Sequence, residues 1–327
     1  MTDQTATISR RHGRSAPTLA QLRAFVAVCE MRHFGRAAER LGIGQSTLSQ
    51  AVAALEANAG AQLVERSTRH VAVTAVGRRL LEHARAAVAA ADAFAEAAAC
   101  AGGLLAGPLR LGLIPTVAPY LLPALLARAA EEAPQLQLAV HEQQTEQLVA
   151  ALRAGEVDAA VAALPLGEDD LCELALYDEE LLVLVPSGHA WAGERGLDPA
   201  AVGAAGLLLL EPGHCLRDQT LALCGEQAAA AAQGAGGGAP ANAISLPTIV
   251  QLVAGGLGVT VVPATALRVE SRRARVATAR LAGDPPPRRR VGLVWRASSA
   301  RAEEYAELAA LLRRAVRAAR LPVRPAA

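Results

Sequence analysis

From Thr18 onward, apolar residues recur at three- and four-residue steps, the period of a helix with one buried face. Leu19, Leu22, Phe25, Val26 and Cys29 define a first helix, with Thr18 placed to cap it. A second fits residues 34–41, with Ala37, Ala38 and Leu41 facing inward, and Gly42-Ile43-Gly44 makes a short turn. A third starts at Gln45 or Ser46 and runs through Leu48, Val52 and Leu55 to about Asn58. Leu63-Val64 and the alternating Val71-Ala72-Val73 predict two short strands around the turn Ser67-Thr68-Arg69. From Gly77 to Cys100 the chain has no breaker and is rich in Ala, Leu, Arg and Glu, which predicts one long helix. Its stripe of Leu80, Leu81, Ala84, Val88, Ala91 and Ala95 suits close pairing with a second copy; packing against its own chain is the alternative.

Gly102-Gly103 and Gly107-Pro108 mark a linker, after which the pattern changes. Short apolar runs at 109–114, 136–140, 157–163, 181–185 and 259–262 alternate with helical stretches at 118–132, 145–154 and 246–254. Such alternation predicts an α/β domain with a largely parallel sheet. Residues 233–238 form a small low-complexity loop, and 300–320 read as a closing helix. The expected division is a flexible basic arm at 1–17, a helical unit with two short strands at 18–77, a long helix at 78–101, a hinge at 102–108 and an α/β domain at 109–320.

Composition sharpens this layout. With 327 residues and 52% hydrophobic content, the chain can fill two cores. Its net charge of +1 hides an asymmetry: residues 1–80 hold eleven Arg against five acids, and the remainder is acidic. A basic N-terminal part implies that this part meets a polyanion. There is no Lys, so phosphate contacts fall to Arg or a protonated His. The first 17 residues lack the apolar core of a signal peptide, and Pro and Gly interrupt the two long uncharged stretches. A cytoplasmic protein without membrane contact is expected. Its five cysteines (Cys29, Cys100, Cys172, Cys215, Cys224) are then reduced thiols; none forms a CxxC pair, and no metal or cofactor site is expected.

In a helix-turn-helix, the second helix enters the DNA major groove, where base edges differ. Here its polar residues are Gln45, Ser46, Thr47, Ser49 and Gln50, with Arg66, Arg69 and His70 in the wing to meet the phosphate backbone. A purely structural three-helix bundle would show the same apolar pattern. The motifs Phe34-Gly35-Arg36-Ala37-Ala38-Glu39-Arg40-Leu41, Gln45-Ser46-Thr47-Leu48-Ser49, Leu63-Val64-Glu65-Arg66 and Thr74-Ala75-Val76-Gly77 together resemble the LysR-type regulator signature. The resemblance implies an all-α winged helix-turn-helix that binds double-stranded DNA, Arg36 among its contacts, and a linker helix that dimerises. It further implies an α/β effector domain of the periplasmic-binding-protein type with two subdomains. One departure is that no Arg lies between Gln45 and Asn58, so base readout would rest on amides and hydroxyls.

The second chemical segment is Glu211-Pro212-Gly213-His214-Cys215-Leu216-Arg217-Asp218-Gln219, ending at Cys224. A thiol reacts with peroxide as its thiolate, which cations and helix N-termini favour. Cys215 has His214 beside it, Arg217 two residues on, and a predicted helix from Arg217 to Gln227 following. If the nine intervening steps are helical, the two Cα atoms lie on the order of 13 Å apart, and a disulfide needs about 7 Å or less. The alternative is two ordinary core cysteines.

The segment Gly213 to Gln219 with Cys224, and Leu113-Ile114-Pro115-Thr116-Val117-Ala118-Pro119-Tyr120, resemble the peroxide-sensing OxyR branch of the LysR family. This implies that hydrogen peroxide oxidises Cys215 to a sulfenic acid and that Cys224 resolves it to a disulfide. Thr116 and Thr145 would line the peroxide pocket; helix capping is the other role open to each. His214, Arg217 and Asp218 would complete its polar shell, and Arg296 would approach Cys215. Cys29, Cys100 and Cys172 are read as structural. The implied partners are a homodimer or dimer of dimers, a thiol reductant and RNA polymerase. Two other functions compete: a metabolite-responsive LysR-type regulator with incidental cysteines, and a thiol peroxidase with turnover.

Overall fold

The structure, a computed structural model, describes residues 16–66, 71–99, 105–232, 242–243 and 245–326. The arm up to residue 15, the wing turn with Arg69 and His70, Cys100 and the 233–238 loop lie outside the described residues. The chain divides into two compact units, Met1–Ala98 and Ala99–Ala327.

In the first unit, α1 (Leu19–Met31) opens on a reciprocal capping box. Thr18 Oγ1 accepts from the Gln21 amide at 3.3 Å, and Gln21 Oε1 accepts from the Thr18 amide at 3.0 Å. Helix α2 (Phe34–Leu41) is capped by His33, whose Nδ1 accepts from the Arg36 amide at 3.2 Å. Gly42, in the left-handed region, ends it, and α3 (Gln45–Ala59) follows. Leu48, Val52 and Leu55 of α3 bury against Phe25, Val28, Ala37 and Ala38, as the periodicity predicts. Strands β1 (Val64–Arg66) and β2 (Val71–Val73) pair antiparallel as the wing. Glu56 Oε1 accepts from the Leu63 and Val64 amides at 2.8 and 3.1 Å, which ties α3 to that wing.

Helix α4 (Ala75–Ala99) then runs for 25 residues. Its start packs so closely on the wing that a Cβ at Gly77 would lie 2.2 Å from the Leu63 carbonyl oxygen and 2.9 Å from Val73 Cγ1. Backbone cannot give way as a side chain can. Gly77→Ala should therefore destabilise the first unit by about 2–3 kcal/mol, read as an earlier denaturant midpoint of the helical signal in the full chain. An unchanged midpoint would show that α4 can shift at no cost.

The second unit begins with β3 (Gly107–Leu113), α5 (Ala118–Glu132), β4 (Leu136–Glu142), α6 (Thr145–Ala154) and β5 (Ala159–Leu164). Gly107 and Pro108, the last residues of the expected hinge, pair with Leu136 and Gln137 as the start of β3. Next come β6 (Leu171–Pro186), β7 (Arg195–Leu197), α7 (Pro199–Ala204), β8 (Leu209–Leu210) and α8 (Cys215–Ala232). The chain closes with β9 (Asn242–Ala243), α9 (Leu246–Ala254), β10 (Thr260–Pro263), α10 (Ala264–Glu270), β11 (Val276–Leu281), β12 (Arg288–Arg296), α11 (Ala302–Ala318) and β13 (Val323–Pro325).

The main sheet is mixed rather than largely parallel. β3 pairs parallel with β4 and β5, and β7 with β11, but β12 runs antiparallel to both β5 and β6. β10, β11 and β13 are also antiparallel to β6. The cause is the 16-residue β6, which crosses from one hydrophobic core to a second and is followed by β12 on the return. Leu111, Leu113, Leu121, Leu293 and Leu312 belong to the first core. Val183, Val185, Leu216, Val250 and Val261 belong to the second. Two subdomains therefore share the waist formed by β6 and β12.

Candidate functional site

The waist carries an ion pair with no solvent exposure on either side chain, Arg289 of β12 and Glu179 of β6. Arg289 Nε donates to Glu179 Oε1 at 2.6 Å. Its Nη1 and Nη2 donate to Thr116 Oγ1 at 2.7 Å and to the Thr116 carbonyl at 3.0 Å. Thr265, at the start of α10, donates to Glu179 Oε2 at 2.7 Å. Thr116 therefore does not cap α5, whose N-cap is Val117; its hydroxyl accepts from a buried guanidinium. Sequence reading missed Arg289, Glu179 and Thr265. The triple-Arg run Arg288-Arg289-Arg290 after three prolines was the available signal.

Beside the waist lies a cleft of about 740 Å³, lined in part by Thr145, Pro165, Asp178, Cys215, Asp218, Gln219, Arg288, Arg289 and Arg290. Cys215 is half-buried and is the first residue of α8, two positions earlier than the predicted helix start. It faces the positive end of that helix dipole. The approach to it is tight: Gly213 sits at φ +95°, and a Cβ there would lie 2.2 Å from Gln144 Oε1. Only glycine allows the turn before Cys215 to pack this closely on the loop before α6. Gln144 is the residue that caps α6, so Thr145 is not its cap. Thr145 and Gln219 both line the cleft, and Thr145 Oγ1 and Gln219 Oε1 are buried with no hydrogen-bond partner among the described residues.

Electrostatics couple Arg289 to the thiol. Burial alone would lower the guanidinium's pKa, but the charges of Glu179 and then Cys215 outweigh it and hold it raised. Arg296 occupies a different place from the one expected. It lies seven residues along β12, outside the cleft, and its Nη1 donates to the carbonyls of Leu152 and Val157 at 2.5 and 3.0 Å. Arg217 is likewise absent from the cleft lining; its Nη1 donates to the Leu210 carbonyl at 2.7 Å and holds the start of α8 to β8. His214 is buried directly before the thiol.

Cys224 lies nine residues after Cys215 and directly before Gly225, whose φ 74° and ψ −160° break the helix. Both thiols are free. Cys224 is 1% exposed, and burial pushes its thiol up to about 11. The helical path between the two places their Cα atoms about 13 Å apart. Among the described residues no group of His, Cys, Asp or Glu could hold a metal, and no helix is long and apolar enough to cross a membrane.

On α3, Gln45, Ser46, Thr47 and Gln50 are exposed and Ser49 is partly so. Its N-cap is Gly44, which makes no side-chain capping bond. Arg36 is exposed on α2, and Arg66 ends β1.

These two arrangements, an exposed uncharged helix face beside a wing and a thiol between two subdomains, match known families. Residues 19–78 match the bacterial regulatory helix-turn-helix protein, lysR family, and residues 102–317 match the LysR substrate binding domain. The chain belongs to the LysR family of bacterial regulators. Within it, the chain is 51% identical over 296 residues to a Mycobacterium avium protein named "Probable hydrogen peroxide-inducible genes activator", covering 90% of this chain and 93% of that one. A Corynebacterium glutamicum OxyR mutant solved with hydrogen peroxide bound is 44% identical, with TM-score 0.61 and 94% of each chain covered. A full-length OxyR variant from Pseudomonas aeruginosa is 36% identical, with TM-score 0.68, covering 91% of this chain and 95% of that one.

Proposed function

We propose that this chain is a DNA-binding transcription regulator switched by hydrogen peroxide. The observation that carries the reading is Cys215 at the first residue of α8, in an open cleft beside Arg289, with Cys224 on the same helix. The Cys215 thiolate attacks one peroxide oxygen, the O–O bond breaks, and the departing hydroxide takes up a proton to leave as water. Cys224 then attacks the sulfenic sulfur, a second water leaves, and the disulfide forms. A thiol reductant resets the pair, so the oxidation is stoichiometric and the protein is not a turnover enzyme.

Thr116, Thr145, His214 and Asp218 surround the reacting thiol, with Arg289 in the role expected of Arg296; Arg217 acts by fixing the helix start. Arg36, Gln45, Ser46, Thr47, Ser49, Gln50, Arg66 and Arg69 face DNA. A homodimer or dimer of dimers, with RNA polymerase as the downstream partner, completes the reading. Peptide mass spectrometry after one equivalent of peroxide should recover a Cys215–Cys224 linkage, together with a changed footprint on promoter DNA. Two free thiols and an unchanged footprint would refute the proposal.

A second reading is supported by size. A cleft of about 740 Å³ far exceeds a peroxide molecule, which needs roughly twice the ~30 Å³ of a water. A small anionic metabolite facing Arg288 and Arg290 would fit it, and would then act as the effector.

A further inference from the structure

The thiol chemistry above accounts for Arg289 but leaves two buried polar groups without a role. Glu179 and Thr265 do not line the cleft and touch no group that reacts. Glu179 nevertheless has no solvent exposure, and a carboxylate taken fully out of water is costly unless its pairing is well arranged. Both of its oxygens are engaged: Oε1 by Arg289 Nε, Oε2 by the Thr265 hydroxyl. Arg289 Nη2 also lies 2.6 Å from Glu179 Oε1, while Nη1 and Nη2 donate to the Thr116 hydroxyl and carbonyl. The guanidinium thus has one edge fixed to Glu179 and the other fixed beside the cleft that holds Cys215.

We propose that Glu179 is a positioning residue for the chemistry of Cys215, and that with Thr265 it fixes how Arg289 is shared between a permanent carboxylate and the thiolate. The inference rests on the reading of Cys215 as the reacting thiol. Two consequences follow from the geometry. The Nε bond prevents the guanidinium from rotating out of the waist. The carboxylate also takes up part of the positive charge, so the thiolate experiences only the residue. A thiolate held too strongly is a weaker nucleophile, because nucleophilicity falls as basicity falls. Glu179 therefore moderates how strongly Arg289 holds the Cys215 sulfur. The other charged groups near the thiol are Asp218 on its own helix, His214 before it, Asp178 on β6 and Arg288 and Arg290 on β12. Tyr120 and Tyr177 flank Glu179. None of these changes in the variants below.

The test is site-resolved iodoacetamide alkylation of Cys215 in the reduced full-length protein across pH. It uses no peroxide, so it reads Glu179 separately from peroxide sensing, which fails on its own terms if one equivalent of peroxide leaves the cysteines unlinked. In Glu179→Gln the half-maximal pH should fall by about one unit, a tenfold gain in thiolate below it. The rate there should rise only roughly threefold, since the more stable thiolate attacks more slowly. Glu179→Asp keeps the charge and should restore wild-type behaviour. Thr265→Val removes the competing donor to Glu179, so the carboxylate draws harder on Arg289 and the half-maximal pH should rise. A half-maximal pH in Glu179→Gln equal to or above wild type overturns the proposal. If Glu179→Gln does not fold, Thr265→Val decides: an unmoved half-maximal pH overturns it.

Discussion

Replacing Cys215 by serine should abolish the response of a target promoter to peroxide while leaving DNA binding intact. The hydroxyl that replaces the thiol cannot be oxidised, and the first unit, which carries the residues proposed to face DNA, has its own core. Cys224→Ser should behave differently. Cys215 would react at the wild-type rate, but the sulfenic acid would persist and be trapped by dimedone. The reason lies in burial: at 1% exposure, with its thiol pushed up to about 11, Cys224 stays protonated and inaccessible at neutral pH. On the proposed reading it acts only after Cys215 has been oxidised and the helix has opened. Peroxide-dependent footprints of wild type, Cys215→Ser and Cys224→Ser separate these steps. Equal promoter output from all three would transfer the effector role to a metabolite in the cleft.

The second large effect concerns Arg289→Ala. Removing one partner of a fully buried ion pair leaves Glu179 charged and uncompensated, a loss of about 3–5 kcal/mol. Thr116 loses both of its bonds to the guanidinium at the same time. A shift of the urea midpoint of the second unit measures the stability loss. Slower peroxide oxidation of Cys215 in the folded fraction measures the loss of the cation beside the thiol. Arg296→Ala provides the contrast, since that side chain holds the Leu152 and Val157 carbonyls outside the cleft. It should leave the oxidation rate at the wild-type value.

The helices were legible because their faces are regular. The apolar steps through Leu48, Val52 and Leu55, and the boundaries at 118–132, 145–154 and 246–254, appear in the structure as the pattern predicts. The long strand β6 was not legible. Its apolar run at 181–185 is only the second half, and Glu173, Asp178, Glu179 and Glu180 disguise the rest as a polar loop. Glu179 is tolerated inside a sheet because Arg289 lies directly opposite it in the β6–β12 register, a pairing 110 residues away in sequence. The same long-range pairing explains why the site was only partly readable. Cys215, Thr145 and Asp218 stand out through local motifs and do meet in the cleft. The cation beside them belongs to a distant strand, and a seven-residue step along that strand separates Arg289 from the Arg296 that the motif singled out. The closing strand β13 was missed for lack of length, being three residues held by pairing with Tyr177, Asp178 and Glu179.

The helix between the two thiols also has an electrochemical meaning. Joining Cys215 to Cys224 requires α8 to give up the turns that separate them, so the disulfide carries that lost helix and packing as a penalty. For a two-electron couple, each ~1.4 kcal/mol of such penalty raises the reduction potential by about 30 mV. A loss of two to three kcal/mol would thus lift the pair by roughly 50 mV above an unstrained disulfide. Under the proposed switch, the ordered helix would make the oxidised state easy to reduce, and the regulator would return to its resting form once the oxidant is gone.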